Sequence, residues 1–387
     1  MNLLEFAAES DRLHLTMIDS LHIAGFKLFR DLTLPKLGRM NLFVGENNTG
    51  KSCLLEAIGL YTGRNPVTDI LQTLAFRTME PFRPWEKAGW NEEGTVLRHP
   101  IFDMFHREEF GRPAVERAIF LIERVGDTNS LIVKNHPLGY TTDENGLRSY
   151  VPEKSDVFDF GPSEQAIFAY RGNMEAAQIG REFFRNRAAA PNSEGLPFVG
   201  NAPLLPYLPA NGFSEWKAAF LWDALIQGPG QERVLDWLRI VDPRILDLDF
   251  IAGRTSTRIA LLKIQGQGRI PLSSMGDGLR RMFHIGLAMA TASKGILLID
   301  EFENGLHWRV QRELWAALGK AAKEFDVQIF ATTHSRDCIG GFVSASKELS
   351  IPDATVYRLE REGDEIYAVD LALVNVEDAL EVNGEVR

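Results

Sequence analysis

Short apolar runs separated by polar residues open the chain and read as strands: Ile18 to Ile23, Phe29 to Leu34 and Met40 to Val44. From Cys53 to Leu60 the apolar positions change to helical spacing, and the Gly and Pro of residues 63–66 stop that helix. Ala118 to Arg124 and Leu131 to Val133 read as paired strands around Gly126-Asp127. Residues 171–187 read as a helix carrying Arg171, Arg181, Arg185 and Arg187, either as a solvated face or as a phosphate-contacting patch. A proline-rich connector, Pro191 to Pro209, precedes two amphipathic helices, Trp216 to Leu225 and Glu232 to Ile240, and a strand, Ile245 to Ile251. A helix running to about Ala292 follows, and then two apolar strands, Gly295 to Glu301 and Val327 to Ser335, with one helix between them, Val310 to Glu324. The aromatic residues Phe82, Trp85, Trp90, Phe102 and Phe105 lie among Pro81, Pro84 and Pro100; they read as packing under loops, with a base-stacking platform as the other reading. Heptads, internal repeats and low-complexity tracts are absent from the sequence.

The pattern places three chemically marked segments at strand ends. Between the third strand and the helix that follows it lies Gly45-Glu46-Asn47-Asn48-Thr49-Gly50-Lys51-Ser52, which fits the phosphate-binding P-loop. The glycines let the backbone curl so that successive N–H groups face an anion, and the helix adds the positive end of its dipole. Gly45, Asn47, Asn48, Thr49, Gly50, Lys51, Ser52 and Cys53 are therefore the expected nucleotide contacts. Lys51 supplies a point charge to the outer phosphates, and the Ser52 hydroxyl is a hard oxygen ligand suited to Mg²⁺. Asp300 and Glu301 end an apolar strand, which sets Asp300 to hold Mg²⁺ and Glu301 to orient or deprotonate an attacking water. His334 ends the next strand, on the same side of a parallel sheet. Ser274 and Gly276, in Ser-Met-Gly-Asp-Gly, open a helix and form a second anion site of the same physical kind, although helix capping alone would account for the serine.

Composition narrows the partners. A formal charge of −11 on 387 residues argues against a broadly basic nucleic-acid-coating surface and leaves room for a local basic groove. Two cysteines, Cys53 and Cys338, cannot build a disulfide framework, and the first residues lack the features of a secretion signal. No apolar run reaches the length of a membrane span, so a cytoplasmic protein without a membrane partner is expected.

The order of P-loop, Ser-Met-Gly-Asp-Gly, Leu-Ile-Asp-Glu and Thr-Thr-His-Ser resembles an ABC-type ATPase, in the branch containing RecF and the OLD-family nucleases. The resemblance implies an α/β fold with a mixed sheet core and a partly helical inserted lobe. Residues 1–150 would form the N-terminal part of the core, 151–240 a mainly helical lobe, and 241–387 the C-terminal part. It further implies a homodimer or higher oligomer that sandwiches ATP, with Ser274 and Gly276 acting on the nucleotide of the other subunit and Glu303 to His307 forming the inter-subunit loop. Met275 and Trp308 depart from the family pattern, and Gln72, Gln165 and Gln178 all remain candidates for the glutamine that contacts Mg²⁺. OLD nucleases add a toprim domain with an Asp-x-Asp pair; here the pair in this region, Asp247 and Asp249, falls within an expected strand. The resemblance therefore implies a nucleotide-driven switch or scaffold in anti-phage defence for a separate effector, a toprim-type nuclease among the candidates. A RecF-like clamp on DNA is the alternative.

Overall fold

The computed structural model describes residues 17–63, 104, 119–126, 130–142, 148–152, 165–171, 174–179, 207–226, 228–253, 258–292, 294–349 and 353–381. In chain order the strands are β1 (Leu21–Phe26), β2 (Phe29–Leu34), β3 (Met40–Val44), β4 (Ile119–Glu123), β5 (Leu131–Thr142), β6 (Arg148–Pro152), β7 (Gln165–Arg171), β8 (Met174–Ile179), β9 (Tyr207–Leu208), β10 (Ile245–Ala252), β11 (Arg258–Ile264), β12 (Gly268–Pro271), β13 (Ile296–Ile299), β14 (Gln328–Thr332), β15 (Ala354–Glu362) and β16 (Glu365–Leu371). The helices are α1 (Lys51–Thr62), α2 (Glu215–Ala224), α3 (Gly230–Val241), α4 (Asp277–Thr291), α5 (Trp308–Glu324), α6 (Arg336–Glu348) and α7 (Leu373–Glu381).

The core sheet has the order β16-β15-β3-β14-β13-β9. All neighbours from β15 to β9 run parallel, and β16 is antiparallel to β15. Parallel strands covered on both faces are apolar throughout, and β3, β13 and β14 are buried at every position. Their side chains alternate between two cores, as the pleat requires. Leu42, Val44, Leu297, Ile299, Ile329 and Ala331 face the helices of the C-terminal half. Phe43, Ile296, Leu298 and Phe330 face α1 and the second sheet.

That second sheet, β2-β1-β4-β5-β7-β8 with β6 on β5, is antiparallel. In β2, Phe29, Leu32 and Leu34 are buried and Arg30, Asp31 and Thr33 exposed, as in a half-buried strand. Helix α1 packs between the two sheets, with nearly all of its residues buried. A third, three-stranded sheet, β10-β11-β12, leads through the turn Leu272–Ser274 into α4.

The stretch read as a helix over 171–187 is different. Its described part holds β7 and β8, with Arg171 registered against Met174 across Gly172-Asn173. A Gly-Asn pair at that spacing is a hairpin signal, and it outweighs the helical propensity of Glu175, Ala176 and Ala177. Arg171 is not free for a phosphate: it donates to the carbonyls of Tyr61 (2.9 Å) and Gly63 (2.9 Å), capping the end of α1 with a cation. The segment read as a mainly helical lobe thus sends strands into both large sheets and keeps α2 and α3 as its helices. Arg181, Arg185, Arg187, Gln72, the aromatics Phe82, Trp85, Trp90, Phe102 and Phe105, and the prolines from 191 to 206 lie outside the described residues. No helix among the described residues is long and apolar enough to cross a membrane.

Candidate nucleotide-binding site

The site forms at the C-terminal edge of the core sheet, where β3, β14, β13 and β9 all end. From β3 the chain enters the loop 45–50 and turns directly into α1 at Lys51. Gly50 caps this helix at φ 88°, and a Cβ there would come within 2.9 Å of the Phe29 ring. Only glycine meets both demands. The Lys51 ammonium folds over the loop and donates to the carbonyls of Gly45 (2.9 Å) and Glu46 (2.6 Å). Burial pushes it down to about 8, against the pull of Asp300, Glu301 and Glu303. Thr49 ties the loop across itself by donating to the Glu46 carbonyl at 2.9 Å.

Asp300 is 7% exposed and sits at the centre of a hydroxyl cluster. Its Oδ1 accepts from Ser52 (3.1 Å) and Thr332 (2.7 Å), and its Oδ2 from the Tyr207 hydroxyl (3.2 Å). Ser52 and Asp300 are 248 positions apart in sequence and meet because β13 and β14 carry the acidic edge against the start of α1. The next residue, Glu301, has φ 47°, a left-handed conformation that costs a non-glycine residue about 1–2 kcal/mol. Two bonds hold it there. Its N–H donates to Thr332 Oγ1 (2.8 Å), and its carbonyl accepts from Arg281 Nη2 (2.9 Å). The His334 N–H donates to the Glu303 carboxylate (2.7 Å), which links the histidine loop to the loop after the acids.

Residues 40–337, from β3 into the start of α6, match the family described as "AAA domain, putative AbiEii toxin, Type IV TA system". The chain belongs to this family of AAA-domain ATPases. The ATPase is similar to the "ATP/GTP phosphatase" of Helicobacter pylori, 24% identical over 342 residues that make up 84% of this chain and 86% of the relative. It is also similar to "Uncharacterized protein MJECL10" of Methanocaldococcus jannaschii, 31% identical over 91 residues, 24% of this chain and 36% of the other. Among solved structures it is similar to the SmcHead bound to the C-winged helix domain of ScpA, with a TM-score of 0.50, 13% identity, and coverage of 94% of this chain and 100% of that one. This likeness establishes the fold: the ATPase has the α/β architecture of SMC heads and ABC-type ATPases. It binds and hydrolyses ATP, as the family match and the phosphatase relative together support.

The structure brings Gly45, Asn47, Asn48, Thr49, Gly50, Lys51, Ser52, Asp300, Glu301 and His334 to one edge of the ATPase. The Cys53 side chain is buried in the apolar cluster beneath α1, which leaves its backbone as its share in the site. Ser274 lies in the turn before α4 and Gly276 is the N-cap of that helix; neither makes a hydrogen bond to residues 45–52 among the described residues. A Cβ on Gly276 would meet nothing within 4 Å, so this helix end is open. The loop 303–307 packs against it, with Gly305 O 3.0 Å from where a Gly278 Cβ would stand. Gln165 and Gln178 fall on β7 and β8, in the antiparallel sheet.

Four residues of the site were not singled out by the sequence: Tyr207, Arg281, Glu303 as the anchor of His334, and Thr332 as the hydroxyl shared by the two acids. Tyr207 is hidden in a proline-rich connector. Only the pairing of β9 with β13 places it beside Asp300.

Proposed function

We propose that this ATPase closes as a pair around Mg·ATP and serves as a nucleotide-driven switch for a separate effector. One observation carries the reading. The signature residues Ser274 and Gly276 lie on an exposed helix end and bond no residue of the phosphate loop of their own chain. An exposed helix end of this kind suits a phosphate carried by a second copy, and two copies placed reciprocally complete two sites.

The residues then divide the work. Lys51 exchanges the carbonyls of Gly45 and Glu46 for the outer phosphates of the nucleotide, and the N–H groups at the start of α1 receive the rest of the charge. Ser52 and Asp300 offer hard oxygens 3.1 Å apart, a donor pair that fits Mg²⁺ completed by phosphate and water oxygens. When bound, the cation neutralises charge on the transferring phosphoryl group. Glu301 accepts the proton of the attacking water, ADP carries away the bonding electrons, and His334 contacts the γ-phosphate. The family description names a putative toxin of a type IV TA system, which supports a place in prokaryotic defence.

ATP hydrolysis and assembly mass, measured together for wild type, Lys51→Ala and Glu301→Gln, test the proposal. Lys51→Ala should lose ATP binding, and Glu301→Gln should bind ATP, hydrolyse it at least ~100-fold more slowly and accumulate in the larger assembly. A wild type that hydrolyses ATP with no change of mass at any stage would rule out the closing pair.

A further inference from the structure

Arg281 is a buried cation whose hydrogen bonds all run to main-chain carbonyls. It lies one turn into α4, beyond Gly276, and is 4% exposed. Its Nη1 donates to Pro209 O (2.7 Å) and Ala210 O (3.2 Å), in the loop after β9. Its Nη2 donates to Asp300 O (2.5 Å) and Glu301 O (2.9 Å), in the loop after β13. Nε is buried without a partner. Removing a guanidinium from water costs several kcal/mol, and apolar packing of α4 needs no such group, as its neighbours Met282 and Phe283 show. What arginine alone provides is a rigid planar fork that reaches two diverging loops at once.

One of those loops carries the glutamate in its left-handed conformation. Thr332 holds Glu301 by its N–H and Arg281 by its carbonyl, so the direction of the side chain depends on both. The same α4 begins at the open end formed by Ser274 and Gly276. We infer that Arg281 is the positioning residue for Glu301, and that through it the set of the signature helix governs the aim of the carboxylate at water. This rests on the proposed role of Ser274 and Gly276 toward a second nucleotide. A phosphate that draws α4 forward moves the guanidinium, and with it the loops after β9 and β13 together. Asn304 reinforces the link by donating to Ala210 O at 2.8 Å.

Arg281→Lys retains the charge and loses the fork; Arg281→Gln retains a single donor group. Each is made in wild type and in Glu301→Gln, with ATP affinity, thermal midpoint, kcat, KM and ATP-dependent mass measured on the full chain. Arg281→Lys should keep ATP affinity within about 2-fold and lower kcat about 10- to 100-fold at unchanged KM, the scale of a misaimed catalytic group. In the Glu301→Gln background the same change should cost less than about 2-fold, because the group it positions is already gone. Losses that multiply in the double variant, or an unchanged kcat in Arg281→Lys, overturn the inference. If neither variant folds, Arg281 belongs to the core and the inference falls as well. A wild type that hydrolyses ATP without assembling removes the closing pair, while the cycle with Glu301 still decides whether Arg281 aims the glutamate.

Discussion

Burial decides what several single residues of this ATPase can do. His284 is 5% exposed on α4, and its Nδ1 accepts from the Phe213 N–H at 3.2 Å, which puts the ring proton on Nε2. Burial pushes its pKa down to about 3, with Arg281 and Arg280 adding repulsion. Between that value and the ordinary histidine range the unfolded chain binds a proton that the native ring refuses. Stability from this site is therefore intact above about pH 6.5 and falls by about 1.4 kcal/mol per pH unit on acidification toward 3. Between pH 6.5 and 5, wild type should lose about 2 kcal/mol more than His284→Gln in urea unfolding. Equal losses would mean that the ring titrates normally. At this scale the phosphate loop was legible in the sequence, because its residues are contiguous and each has a distinct chemical duty. Arg281 and Tyr207 were not, since their partners are main-chain carbonyls and a carboxylate brought in from distant segments.

Among the elements, the core strands could be read from their apolar runs, and the structure returns β2 and β3 with the expected bounds. The hairpin of β7 and β8 carries its turn signal in Gly172-Asn173, yet the alanines and glutamate of β8 favour a helix until a neighbouring strand offers a ladder. The ends of the core strands opposite the phosphate loop are tied by polar groups. Asn41, 1% exposed on β3, donates to Gly38 O (2.8 Å) and Ile329 O (3.0 Å), and accepts from Gly38 N (2.7 Å) and Thr355 Oγ1 (2.8 Å). The amide uses its whole bonding capacity across β3, β14 and β15. Asn41→Leu removes all four bonds, with Gly38 O keeping a second donor in the Gln328 amide, and should cost about 3 kcal/mol of unfolding free energy, with ATP affinity of the folded fraction unchanged. A loss under about 0.5 kcal/mol would show that water replaces the amide without penalty.

For the whole molecule, the proposed closing pair calls for a surface that meets a second copy. Trp308 follows the loop 303–307 directly and is 56% exposed, with Arg309 over its ring at 5.2 Å. A large aromatic left in water next to the loop that meets the signature helix is the kind of side chain that anchors an interface. Trp308→Ala should leave the monomer's thermal midpoint nearly unchanged and weaken ATP-dependent assembly about 10- to 30-fold in sedimentation or mass photometry. Assembly at wild-type concentrations would move the interface away from this loop.

The sequence by itself determined the class of fold and the kind of enzyme. A loop that binds phosphate, an acidic strand end and a histidine strand end each need a local run of residues, and local runs can be read without a structure. The tertiary structure alone decided how these parts are wired. The short strand β9 sets Tyr207 against Asp300, Thr332 joins the two acids, and a buried arginine fastens the signature helix to the loop that carries Glu301. Such contacts leave no pattern along the chain, because they satisfy the main-chain polar groups and buried carboxylates that appear only when parallel strands end side by side.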